Sequence, residues 1–195
     1  MAKVIVKGDY LHNIYEKNPD TGNYIIPISL EKYTDVFNDW DNAPFKKRDM
    51  NPNLADFLED CSKDIPFKYG LDVVFSISNE KKDVSRERML VSSFRMYYSS
   101  YFKNESKFLK GAYTRLVKYT STAFIFLSTA FLTKKLYEEN VFFNTLKEGI
   151  QIGAWVFLWE AITFFFFKRG EVTDEIKRYK RLSECNIFFK YNGKF

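Results

Sequence analysis

Hydrophobic and polar positions along the chain sort into short alternating runs, helical faces and two long apolar blocks. Leu71–Ser78 alternates, placing Leu71, Val73, Phe75 and Ile77 on one side of an extended strand. Asn23–Leu30 is rich in isoleucine and predicts a second strand, which Pro27 sends to an edge or bulge because proline lacks a ladder donor. Cys185–Tyr191 predicts a third strand that pairs with these two, and Lys3–Lys7 a further short one. Pro19-Asp20-Thr21-Gly22 is turn chemistry. Asn51-Pro52 opens a helix, with Asn as N-cap and Pro at the first helical position. Leu54, Phe57, Leu58 and Cys61 then give that helix one apolar face. After the polar turn Asn79–Lys82, Asp83 or Ser85 caps a helix with Met89, Leu90, Phe94, Tyr97, Tyr98 and Tyr101 along one face. No proline follows Asp83, and only Gly111 offers a bend before the apolar run Tyr119–Leu132. Thr173-Asp174-Glu175 opens a last short helix whose final turn is basic, as the helix dipole prefers. Glu31–Met50 has no sustained period and predicts a long ordered loop.

The stronger apolar block is Gly149–Phe167, 19 residues with the single charge Glu160. A hydrocarbon core needs about 20 predominantly apolar residues, so this block is long enough to span it. Tyr119–Leu132 has only 14 residues. It becomes a workable span by borrowing Leu116, Val117 and Leu136 while Lys118 and Lys134 snorkel. The two blocks then form a transmembrane hairpin. Lysine and arginine are enriched on both outer flanks, at 103–118 and 168–181, which predicts that both termini are cytoplasmic. The expected fold is α+β: a small mixed or antiparallel sheet with helices on one face, interrupted by a two-helix transmembrane hairpin. Residues 1–110 would be the first part of a cytosolic domain and 111–168 the hairpin, with 169–195 the helix and strand that complete the domain.

Composition agrees with a mixed protein. Hydrophobic content is an ordinary 46%, but aromatics reach 19%, with 21 phenylalanines. Mean hydropathy is slightly negative at −0.34, so the apolar character is concentrated rather than spread. A net charge of +5 suits an anionic leaflet better than nucleic acid, which calls for a denser basic stripe. Met1-Ala2-Lys3 followed by a short Val4–Val6 run predicts no secretory leader. Cys61 and Cys185 stand far apart, so neither a CxxC motif nor a disulfide framework is present. His12 is the only histidine, which excludes a His-based zinc site and any triad or Cys-His dyad not centred on it.

Candidate chemistry begins with Glu160. A central acidic residue in a span costs roughly 2.5–3.5 kcal/mol and usually faces a partner or a water path. A helix–helix contact fits two spans better than transport does. Gly149 and Gly153, four apart, offer a face for close helix approach. Trp155 and Trp159 add aromatic bulk. Lys46-Lys47-Arg48, beside Trp40 and Phe45, reads as a phosphate- or base-binding run or as a solvated loop near an anionic membrane. Asp39 and Asp41, two apart in that loop, offer an acid pair for a metal or general-acid role. The sequence has no glycine-rich phosphate loop, Walker pattern or nucleophile elbow. No catalytic, metal or cofactor site is therefore assigned.

Ala154-Trp155-Val156-Phe157-Leu158-Trp159 resembles the tryptophan motif of a group of uncharacterised bacterial two-span membrane proteins. Pro44, Arg48-Asp49, Pro52, Leu54 and Leu58 resemble the stretch opening that group's first helix. The resemblance implies the same architecture in a bacterial inner membrane and says nothing of a reaction. Three function classes follow. The first is a membrane-tethered binding or regulatory protein whose cytosolic face meets a protein or small anionic ligand. The second is a membrane-perturbing effector, as in a bacterial defence module, whose hairpins form homo-oligomers in the lipid bilayer. The third is a membrane-surface enzyme using Asp39, Asp41 and the basic run.

Overall fold

A computed structural model describes residues 7–41, 48–132 and 141–191. Five helices and three strands follow in the order α1 (Lys7–Ile14), β1 (Tyr24–Leu30), α2 (Pro52–Asp64), β2 (Leu71–Ile77), α3 (Val84–Leu132), α4 (Val141–Thr163), α5 (Arg169–Glu184) and β3 (Asn186–Tyr191). The chain is therefore α+β, and it divides into two compact units: Met1–Lys103 with Ile176–Phe195, and Asn104–Glu175.

In the first unit the three strands form one sheet in the order β1-β2-β3. The sheet is parallel throughout, which corrects the expectation of a mixed or antiparallel one. The reason lies in the connections. Neighbouring strands are joined by helical crossovers, α2 between β1 and β2 and α3 to α5 between β2 and β3, and a crossover returns the chain to the same end of the sheet. Pro27 sits in an edge strand, opposite Val74, as its missing donor requires.

One face of the sheet carries the core. Tyr24, Ile26, Ile28 and Leu30 of β1 and Leu71, Val73, Phe75 and Ile77 of β2 are buried in one cluster with Ala55 and Leu58 of α2, Leu90, Phe94 and Tyr98 of α3, and Leu182 of α5. Phe75 meets Phe94 edge-on at 6.2 Å and stacks on Phe189 of β3 at 5.8 Å. The opposite face presents Pro27, Ser29, Phe188 and Lys190 to solvent.

Local signals place the helices. Asn51 accepts the Asn53 N–H at 3.0 Å, and Pro52 opens α2. The buried face of α2 is rotated from the expected one: Ala55, Leu58, Cys61 and Ser62 point inward, while Phe57 is 47% exposed. Asp83 caps α3 by accepting from the N–H groups of Ser85 and Arg86. Of the ordered loop expected over Glu31–Met50, residues 31–41 and 48–50 are described. A 3₁₀ turn at Tyr33–Val36 buries Tyr33 and Val36, and Phe37 bridges to Met50. Of the short strand expected at Lys3–Lys7, only Lys7 lies among the described residues, and it begins α1.

In the second unit, the end of α3 packs antiparallel against α4. Tyr113 meets Phe164 at 5.9 Å, Tyr119 meets Phe157 at 5.5 Å, and Phe126 meets Phe157 at 6.1 Å. No break occurs at Gly111, and α3 runs for 49 residues. The separate helix expected to open at Thr173 is instead the continuation of α4 through a π-helical turn at Phe164–Lys168. This continuous helix, Val141–Glu184, is long and apolar enough to cross a membrane, and only 6% of its apolar window is buried.

Candidate functional site

Three polar constellations stand out in the α+β unit. At the amino ends of the strands, Asp72 is fully buried. Asn18 (2.6 Å) and Thr21 (2.5 Å) donate to its Oδ2, and Asn23 (2.8 Å) and Asn186 (3.0 Å) to its Oδ1. Burial alone would raise this carboxyl's pKa; the four hydrogen bonds outweigh it and hold the value below the usual range. The turn after α1 thereby folds over β2. Gly70 leaves room for it, since a Cβ there would collide with the Asn23 side chain. Four donors on one carboxylate leave little for a ligand, so this cage is structural.

At the carboxyl ends, Tyr33 and Tyr191 share a hydroxyl–hydroxyl bond of 2.6 Å, and Tyr191 donates to Glu87. Arg86 donates to Glu80 at 2.8 Å, and the Tyr33 N–H donates to the same carboxylate at 3.0 Å. Ligands of open parallel sheets favour the carboxyl ends where the strand order reverses. Here the order advances without reversal and the groups satisfy one another. This network ties the 3₁₀ turn to the first turn of α3.

The third constellation is open. A cleft of about 440 Å³ is walled by Asp49, Asp56, Glu59, Tyr97, Tyr101 and Tyr179. Residues 49, 56 and 59 converge because the loop before α2 and the first two turns of α2 face the tyrosines of α3 and α5. Tyr97 lies 4.8 Å from Tyr101, which lies 5.5 Å from Tyr179. Burial pushes the Glu59 carboxyl up, with Asp56 adding to the rise and Lys63, Arg178 and a Tyr179 hydrogen bond opposing it. Tyr97 is pushed up by burial, by its bond to Tyr101 and by the charges of Glu59 and Asp49. Burial leads both shifts, and the cleft's chemistry lies in its geometry: three carboxylates beside three π faces are what recognises a cation. Among the described residues, no group of His, Cys, Asp and Glu is placed to hold a metal ion.

The residues singled out from sequence fall elsewhere. Glu160 lines a second cleft, of about 510 Å³, together with Arg115, Lys168 and Glu171. Trp155 and Trp159 are 61% and 68% exposed and do not enter it. Gly153 packs against the Phe126 ring of α3, where an added Cβ would stand 3.9 Å away, whereas Gly149 faces open space. The pair is thus split between an intrachain contact and a free position. Arg48 is half-buried and engaged with neighbouring groups, while Lys46 and Lys47 lie outside the described residues. Asp39 and Trp40 are exposed, and Asp41 accepts the Asp49 N–H at 2.7 Å. Sequence reasoning found neither cleft as a site. Their members are spread over positions 38–179 and 108–172, and the visible signs were the tyrosine spacing on α3 and Glu160. No protein-family model, curated protein or solved structure matches the chain.

Proposed function

We propose that the chain is a two-span protein of the bacterial inner membrane, both termini cytoplasmic, whose α+β unit binds a positively charged group in the carboxylate–tyrosine cleft. The observation that carries the membrane half is the bare apolar surface of α4. A core helix of a water-soluble protein is mostly covered, whereas 6% of this window is. The end of α3 lies against α4 and supplies the second span, with Lys118 at its cytoplasmic end. Expressed protein is expected to resist carbonate extraction. Protease should cut the α+β unit in inverted vesicles and spare it in intact spheroplasts. Recovery in the carbonate supernatant would refute the membrane assignment.

The charge of the cleft sets the ligand class. Three carboxylates and three tyrosines favour an ammonium or guanidinium, either on a small molecule or on a basic segment of a partner protein. The anionic ligand expected from the basic run has no described counterpart in this cleft. Carboxylates beside tyrosine rings are groups that hold a cation, and binding rather than turnover is the reading we take from them. Spermidine titrated calorimetrically into the detergent-purified chain at low salt should bind saturably. Combined Asp56→Asn and Glu59→Gln changes should weaken it at least about tenfold, as loss of charge-assisted contacts implies. No heat, or equal binding by the double variant, would sink the cation assignment.

A further inference from the structure

The cleft in the 104–175 unit has a chemistry of its own. Its walls are one face of α3, carrying Phe108, Arg115 and Leu116, and one face of the opposing helix, carrying Glu160, Lys168 and Glu171. The Arg115 guanidinium lies 5.8 Å from the centre of the Phe108 ring, which supports it from the side. Arg169 does not line the cleft and is engaged by the Phe165 ring at 5.2 Å. Lys168 and Glu171 follow directly on the apolar stretch that ends at Phe167, while Ala161 and Phe164 lie on its apolar side.

The π-helical turn belongs to this wall. The Arg169 N–H bonds to the Phe164 carbonyl, five residues back, and both ends of the turn, Phe164 and Lys168, line the cleft. A π turn adds one residue to the helix and rotates everything beyond it by about 100°. Isolated π turns within α-helices are frequent at functional sites.

We infer that this cleft holds the headgroup of an aminophospholipid. The phosphate sits against Arg115 and Lys168, the ammonium against Glu171, and the glycerol end runs along Phe164, Ala161 and Leu116. Charge complementarity selects this occupant. Two cations and two carboxylates make a neutral wall that matches a zwitterion, whereas an anionic headgroup brings no cation to face Glu171. The order along the helix agrees, since Glu171 lies farther from the apolar stretch than Lys168, as an amine lies beyond its phosphate. Phosphate contacts from arginine and lysine are charge-assisted and therefore strong. The inference rests on the membrane reading above.

Native mass spectrometry of the full chain in dodecylmaltoside, titrated with dihexanoyl-phosphatidylethanolamine below its micelle concentration, tests it. One lipid per chain is expected, bound about tenfold more tightly than dihexanoyl-phosphatidylglycerol. Arg115→Gln with Lys168→Gln should weaken it about a hundredfold, roughly tenfold for each charge-assisted contact. Glu171→Gln, a milder change, should erase the preference over phosphatidylglycerol. Equal wild-type binding of both lipids, or unchanged binding by the double variant, overturns the assignment. So does free phosphoethanolamine binding as tightly as the lipid, which would make this a soluble-ligand site. Carbonate extraction of the wild type separates the two ideas: release from the pellet refutes the membrane reading, while the detergent titration judges the headgroup site by itself.

Discussion

Replacing Arg181 with methionine is expected to destabilise the α+β unit by about 3 kcal/mol or more and to lower its melting midpoint by roughly 10 °C. The guanidinium donates to the Ser62 carbonyl and hydroxyl and to the carbonyls of Ile65 (2.9 Å) and Pro66 (3.3 Å). Ser62 lies in the last turn of α2 and Ile65 just beyond it, where a cation is also favoured by the helix dipole; the Pro66 carbonyl also accepts the Tyr69 N–H at 3.0 Å. Its plane lies 4.9 Å from the Phe67 ring. Burial, with Arg178 nearby, lowers its pKa to about 10, which leaves it charged at neutral pH. Methionine fills similar space and takes the guanidinium donor from the Ser62 and Ile65 carbonyls, each costing about 1–3 kcal/mol when buried and unpaired. Arg181→Lys should recover little, because an ammonium cannot serve a forked set of acceptors while lying flat on a ring. Thermal unfolding of the detergent-purified chain, followed by circular dichroism, measures both. A loss below 1 kcal/mol for methionine would show that water takes over these acceptors.

Asp72→Asn should have an effect of similar size, about 3 kcal/mol, and one that depends on pH. The amide would turn a donor toward side chains that are themselves donors, two of them asparagine amides on one oxygen's side of the cage. The pH dependence follows from the lowered native pKa. A carboxyl with a lower pKa folded than unfolded contributes stability that is fully present above its unfolded value, about 3.9. That contribution disappears as pH falls through the native value. The gap between wild type and Asp72→Asn should therefore stay constant from pH 7 to about pH 5 and close below pH 4. A gap that does not change down to pH 2 would place the wild-type proton elsewhere.

Several features of this fold were legible because they are local. Asn51-Pro52 announces α2 through the cap it makes, Pro27 announces an edge strand, and the alternation of Leu71 to Ile77 announces β2 with its inner face correct. Parallel pairing was not legible, since nothing within a strand records on which side the chain will return. Asp72 occupies the outward position of its alternation and reads as solvated. It is buried only because Asn18, Thr21 and Asn23 fold back over it from more than 48 positions away. Glu160 was visible as a cost in an apolar run. Lys168 and Glu171 follow it on the same helical face, but Arg115 joins them only through the pairing of α3 with α4, which no local pattern records.

The pairing of β2 with β3 also sets a clock. Asp72 and its donor Asn186 are 114 positions apart, so the central strand leaves the ribosome long before its second neighbour exists. At about 5–20 residues per second that interval is roughly 6–23 s. Throughout it, β2 carries a free edge and lacks the Phe189 ring that stacks on Phe75, a state open to stray strand pairing. The apolar helix emerges inside the same interval. On the membrane reading proposed above, delivery of the nascent chain precedes closure of the sheet, and a holding chaperone would act on the first 180 residues or so rather than on the finished protein.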